Sequence, residues 1–176
     1  MRPMHHKILA VLLDSGDTLV DEATEIREQT EIVLRADLIP GAAQLLRELK
    51  RRAYPLALVA DGPAQTFRNI LGQHALYDLF DTHAISEEVG VNKPHPAIYR
   101  AALDALGIAP AQYAQVLMVG NNLERDVQGA NALGLLSVWI DWAPRRPKVP
   151  ADPSQQPRYT IKTPLELLTL LDALER

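Results

Sequence analysis

The sequence predicts an α/β fold, a Rossmann-like three-layer α/β/α sandwich with a mostly parallel central sheet. Three observations predict it. Residues 8–13, 56–60 and 116–119 are unbroken apolar runs, which suits strands buried on both faces of a sheet. Between them lie stretches with apolar residues at helical spacing, and strands separated by helices imply right-handed crossovers and parallel pairing. Each run also empties into a polar or glycine-bearing turn: Asp14-Ser15-Gly16-Asp17, Asp61-Gly62 and Gly120-Asn121-Asn122. Open α/β sheets bind ligands at the carboxyl ends of their strands, so these turns are the candidate site.

The elements follow in order. Residues 7–13 form the first strand. Residues 24–36 are expected as a helix, and Ile39-Pro40-Gly41 breaks the chain. Residues 42–52 place Ala42, Leu45, Leu46, Leu49 and Ala53 on one stripe, an amphipathic helix. Leu56–Ala60 is the second buried strand. Pro63 suits a helix's first turn, and that helix runs to about Gly72. Thr82–Ile85 is a weak strand. Residues 96–106 form a helix with Ile98, Ala101, Ala102 and Ala105 inward, ended by Gly107. Residues 116–119 are a strand, 123–133 a helix ended by Gly134, and 135–140 a strand. Residues 143–156 are a Pro-rich loop and Tyr159–Ile161 a short edge strand. Residues 163–174 close the chain as a helix capped by Thr163, with Pro164 at its first position.

Composition narrows the function. A chain of 176 residues suits one domain with a sizeable core. The longest apolar run, six residues, falls far short of the roughly 20 that span a bilayer. The absence of cysteine excludes disulfides, thiolate zinc sites and cysteine nucleophiles. Net charge is −4 and the cations are scattered, so nothing indicates nucleic acid. Residues 1–7 lack a signal-peptide apolar region, so a cytoplasmic protein is expected. His5 and His6 are read as having no role. Arg145-Arg146-Pro147-Lys148 reads as a solvated loop, with contact to an anionic substrate or partner as the alternative.

Four segments carry residues that suit chemistry. Asp14 stands at a buried strand's end, where a carboxylate can attack phosphorus or help hold a hard cation. Asp61 and Gly62 lead into a helix whose first N–H groups suit an anion. Lys93, in Gly90-Val91-Asn92-Lys93-Pro94-His95-Pro96, precedes a helix and can neutralise nearby negative charge. Asp126 follows a buried strand that aims its loop at the same crevice as Asp14. His95 reads as structural or exposed, Trp139 as core packing, and Asp21 and Glu22 as solvated acids. Asp141 and Trp142, at a strand's end, are candidates for the crevice's edge.

Together these segments resemble the haloacid dehalogenase-like (HAD) superfamily over nearly the whole chain. Asp14 to Leu19 is similar to the first motif, D-x-D-G-T-L/V, with Asp14 on the nucleophile, Gly16 in place of the second Asp, and Asp17 in place of the usual Gly. That second Asp is the general acid/base of family phosphatases. Ala60 stands where the family has a phosphate-binding Ser or Thr. Lys93-Pro94 matches the third motif. Residues 116–134, VLMVGNNLERDVQGANALG, resemble the fourth, with Asn121 in place of its first Asp and Asp126 on a metal ligand.

The resemblance implies a HAD-like hydrolase, a magnesium-dependent phosphatase working through an aspartyl-phosphate. Asp14 and Lys93 would be catalytic. Ala60, Asp61, Gly62 and Lys93 would line the phosphate site. Asp14, the Gly16 carbonyl, Asn121 and Asp126 would hold Mg2+. The alternative is a catalytically weak or inactive metal- or phosphate-binding or regulatory module. Dehalogenation would need an aromatic residue at position 16 and an enclosing cap. The intervals between motifs leave no room for a large cap, so residues 1–176 are read as one core domain. An open site favours a bulky phosphorylated substrate or closure by a second copy. Gly16 is expected to limit catalysis and to need a positive φ. Asp17, the other candidate acid, is expected to point elsewhere.

Overall fold

The apolar run at residues 8–13 does what its composition demands: its side chains leave water on both faces of a sheet. The computed structural model describes residues 7–176, so His5, His6 and most of the N-terminal stretch lie outside the described residues. Strand β1 (Ala10–Leu13) is buried throughout. The chain continues through β2 (Ile26–Arg27), β3 (Val33–Arg35), α1 (Ala42–Arg51), β4 (Leu56–Ala60), α2 (Ala64–Gly72), β5 (Thr82–Ile85), α3 (Ser86–Val89) and α4 (Pro96–Ala105). It ends with β6 (Val116–Gly120), α5 (Gln128–Leu133), β7 (Leu136–Ile140), β8 (Tyr159–Ile161) and α6 (Glu166–Leu174).

Six strands pair in the order β5-β4-β1-β6-β7-β8, and every pairing is parallel. Alternation along β1 sorts the core. Val11 and Leu13 pack with Leu45, Leu46, Phe67, Ile70, Leu167 and Leu171, from α1, α2 and α6. Ala10 and Leu12 pack with Ile98, Tyr99, Ala102 and Ala130, from α4 and α5. The three layers follow from the period-2 pleat meeting period-3.6 stripes. β1 lies between β4 and β6, which places its carboxyl end at the topological switch point.

Residues 24–36 are not a helix. Glu22–Thr24 is a 3-10 turn capped by Asp21, followed by the antiparallel β2–β3 hairpin. The segment has no stripe to bury: Val33 and Ala36 are covered, while Ile26 and Leu34 are exposed. Ile26, Thr30, Ile32 and Val33 also disfavour a helix. Neighbours complete the hairpin's bonding, since the Val33 N–H donates to Thr66 Oγ1 and Asn69 Nδ2 donates to the Val33 carbonyl.

Three further helices differ in detail. The buried stripe of α4 is Ile98, Tyr99, Ala102 and Leu103, because Tyr99 and Leu103 bury more apolar surface than Ala101 and Ala105 would. Residues 123–133 divide into a π turn, Leu123–Val127, and α5, and such turns often mark functional positions. α6 begins at Glu166 rather than at a Thr163 cap.

Gly129 on α5 is required by packing. A Cβ there would lie 2.2 Å from Tyr99 Oη and 2.4 Å from Tyr99 Cζ. Tyr99 is fully buried, and its hydroxyl donates to the Arg125 carbonyl at 2.7 Å. Gly129→Ala should lower stability by about 1–3 kcal/mol, the usual cost of overpacking. Urea unfolding checks it; an unchanged midpoint would contradict this packing.

Candidate active site

Three strand ends converge on one ammonium group. Asp14 leaves β1, and its N–H donates to the Val119 carbonyl on β6 at 2.9 Å. Lys93 enters from the loop before α4. Its Nζ donates to Asp14 Oδ1 at 2.7 Å, Asp126 Oδ1 at 2.7 Å and the Val59 carbonyl at 2.9 Å. The Lys93 and Asp126 side chains are 3% and 1% exposed. A buried charge this dry persists only with partners that replace its water. Burial works against the ammonium, but Asp126, Asp14 and Asp61 outweigh it and raise its pKa, so it stays charged. Burial likewise pushes Asp126 up to about 6 against the pull of Lys93.

The neighbours are fixed by short contacts. Asp61 accepts the Lys93 N–H at 2.9 Å and Arg125 Nη1 at 3.0 Å. The Asn122 N–H donates to Asp126 Oδ2 at 3.0 Å. Gly120 has a physical reason: its Cβ would fall 2.2 Å from Asp126 Cγ, so only glycine lets that carboxylate fold back over the strand. Asn121 is buried, and its carbonyl accepts Trp139 Nε1 at 3.0 Å. Trp139 is thus packed as expected.

A cleft of about 350 Å³ opens over these groups. Asp14, Gly16, Asp61, Gly62, Lys93, Asn121 and Asp126 line it. Ala60 is buried beneath and does not line it. The Gly62 N–H donates to Ser86 Oγ and the Ala64 N–H to Glu87 Oε2, both at 2.9 Å. His95 caps α4 by accepting the Ala97 N–H at Nδ1. Asp141 pairs with Lys148, and neither Asp141 nor Trp142 lines the cleft.

The turn after Asp14 differs from expectation. The positive φ falls on Asp17, at 51°, and not on Gly16. Asp17 is fully buried and faces away from the cleft. It accepts the Glu22 N–H at 3.1 Å and is clamped by the Arg145 guanidinium. The basic loop is therefore not merely solvated: Arg145 also reaches Asp21 at 3.2 Å, and Arg146 reaches Glu22 at 3.6 Å. Three acids of the turn, Asp17, Asp21 and Glu22, hold the loop. Nor is Glu22 a solvated acid. It lines the cleft, and burial, with Asp17 next, raises its pKa while Arg146 draws it down. Sequence reasoning missed Glu22 and Arg146; the one signal was a bare glycine two residues after Asp14.

The comparisons with known proteins agree with the fold. A family model described as haloacid dehalogenase-like hydrolase matches residues 3–134. The chain belongs to that family. It is 35% identical over 160 residues to the phosphoserine phosphatase of Thermus thermophilus, covering 90% of this chain and 61% of that one. It is 34% identical over 139 residues to the glyceraldehyde 3-phosphate phosphatase of Pyrococcus furiosus, covering 78% and 55%. The chain thus spans a little over half the length of these relatives. Its fold matches that of a HAD phosphatase from Thermococcus onnurineus with a TM-score of 0.75 at 23% identity, covering 95% and 99% of the two chains. It also matches a putative HAD-hydrolase, YfnB, from Bacillus subtilis with a TM-score of 0.67 at 26% identity, covering 77% and 57%.

Removing the central ammonium should leave the buried Asp126 carboxylate facing the half-buried carboxylate of Asp14. Lys93→Met should destabilise the fold by about 3–5 kcal/mol, as when one partner of a buried ion pair is lost. Adding Asp126→Asn should recover part of the loss. Urea titrations at neutral pH measure both, and an unchanged Lys93→Met midpoint would contradict the assignment.

Proposed function

We propose that the protein is a magnesium-dependent phosphatase that works through a phosphoryl group carried on Asp14. The observation that carries this reading is the Asp14 carboxylate at the switch point, aimed into the cleft and bonded to a buried ammonium. Lys93 orients Asp14 and offers positive charge to the incoming phosphate. The attacking oxygen bonds to phosphorus as the ester oxygen departs, and water then cleaves the Asp14–phosphorus bond.

The donor set fits magnesium. Asp14, Asp126, the Gly16 carbonyl and the Asn121 amide are all hard oxygen donors. Among the described residues no group of three or more His, Cys, Asp or Glu is placed to hold a metal, so neutral oxygens and water must complete the shell. One end of the Asn121 amide is buried without a partner, and turning the amide would present its oxygen there. When bound, the ion would offset charge on the phosphoryl oxygens. The Asp61 main chain, at the cleft wall, would meet the phosphate's far side, whereas the Gly62 N–H is already given to Ser86 Oγ.

The β2–β3 hairpin and the loop carrying Arg146 border the cleft, and we read residues 1–176 as one core without a sizeable cap. Such a mouth suits a bulky phosphorylated substrate or closure by a second copy of the chain. Among the described residues no helix is long and apolar enough to cross a membrane. The named relatives point towards phosphate monoesters of small metabolites as the class to assay.

A screen of phosphate monoesters with magnesium tests the reading. Turnover should be lost on chelation and abolished in Asp14→Asn, with the circular dichroism spectrum unchanged. Undiminished activity in folded Asp14→Asn protein would remove the covalent route. Absence of turnover in the parent would leave a binding module.

A further inference from the structure

Gly16 leaves a gap beside the nucleophile, and another residue fills it. An ideal Cβ on Gly16 would lie 2.1 Å from Glu22 Oε1 and 2.9 Å from Glu22 Cδ. The Glu22 carboxylate therefore occupies the volume into which a side chain two residues after Asp14 would project. It lines the same cleft as Asp14. Its backbone is held in place by the Asp17 carboxylate, itself clamped by Arg145, and its Oε2 lies 3.6 Å from Arg146.

Ester cleavage by Asp14 must deliver a proton to the departing oxygen. Most other ionisable groups in the cleft are committed. Lys93 holds Asp14, Asp126 and a carbonyl. Asp126 is bound by Lys93 and the Asn122 N–H. Asp61 is bound by the Lys93 N–H and Arg125, and Glu25 by Arg27. Glu31 sits exposed on the hairpin rim.

Building on the phosphatase reading, we infer that Glu22 is the general acid and base of the reaction, supplied from the 3-10 turn in place of a side chain at position 16. As an Asp14 oxygen bonds to phosphorus, the bond from phosphorus to the ester oxygen breaks. The electron pair stays on that oxygen, which takes the proton of the Glu22 carboxylic acid. The Glu22 carboxylate then takes a proton from water as the water oxygen bonds to phosphorus. The Asp14–phosphorus bond breaks, inorganic phosphate leaves, and Asp14 and Glu22 return to their starting forms. Glycine at position 16 is then a requirement, because any side chain there displaces the acid.

The test is the leaving-group dependence of kcat/KM, measured from phenyl phosphate to 4-nitrophenyl phosphate. The parameter reports the steps up to release of the alcohol, where the acid acts. In Glu22→Gln, phenyl phosphate should lose about 10²–10⁴-fold, the usual contribution of a general acid. The 4-nitrophenyl ester, whose leaving group needs little protonation, should lose far less. The double variant Gly16→Asp/Glu22→Ala returns a carboxylate to the same space and should recover phenyl phosphate turnover. Equal losses on both esters, or none, overturn the inference while the phosphatase reading stands. No turnover of either ester by the parent overturns both. Should Glu22→Gln misfold, Glu22→Ala with and without Gly16→Asp decides: a loss on phenyl phosphate in Glu22→Ala that Gly16→Asp restores upholds the inference, and no such loss in folded Glu22→Ala overturns it.

Discussion

The bond set around Lys93 Nζ is the constraint on which the rest of the site depends. One ammonium joins β1, through Asp14, to the β4 carbonyl of Val59 and to Asp126 beyond β6. A buried ion costs several kcal/mol to desolvate and is tolerated only when its partners are in place. The strand ends must therefore register before the charge is satisfied, and once satisfied it holds them. Asp14 is oriented by the same contact that neutralises it. Thr18 Oγ1 supplies its other oxygen with a donor at 3.3 Å.

Packing delivers Asp126 to that ammonium from a distance. Tyr99 on α4 fits because Gly129 has no side chain, and its hydroxyl holds the Arg125 carbonyl beside Asp126. The π turn between β6 and α5 and the bare Gly120 then let the carboxylate fold back over the strand. A chain of core contacts thus sets the position of an acid that no single local preference would place there. Stability and chemistry share residues, and changes at Gly120 or Gly129 act on both.

Much of this was legible in the sequence. The unbroken apolar runs gave β1, β4 and β6, because a strand buried on both faces can tolerate little else. Their turns pointed to Asp14, Asp61 and Asn121 at one edge of the sheet, and Lys93 and Asp126 joined them by resemblance. What was not legible depended on partners remote in sequence. Residues 24–36 carry helix-compatible acids and cations, yet Thr66 and Asn69 on α2 complete the hairpin's bonding instead. Arg145 and Arg146 read as solvated because nothing local pairs them, whereas Asp17 and Glu22 await them across the fold. The positive φ went to Asp17 rather than Gly16, since the Asp17 N–H bonds the Val20 carbonyl in the tight turn. Sequence alone showed Gly16 as a loss; the structure shows that the vacated space is filled.

The central claim is that Asp14 carries the phosphoryl group. Acid quench of the magnesium-loaded protein during turnover of 4-nitrophenyl phosphate, followed by peptide mass spectrometry, tests it most directly. The account predicts one phosphoryl group on the peptide containing Asp14, assigned to that side chain and absent from Asp14→Asn protein. Phosphorylation of a different residue would contradict it. So would direct transfer to water, seen as inversion at a chirally labelled phosphorus, where two displacements through Asp14 would give retention.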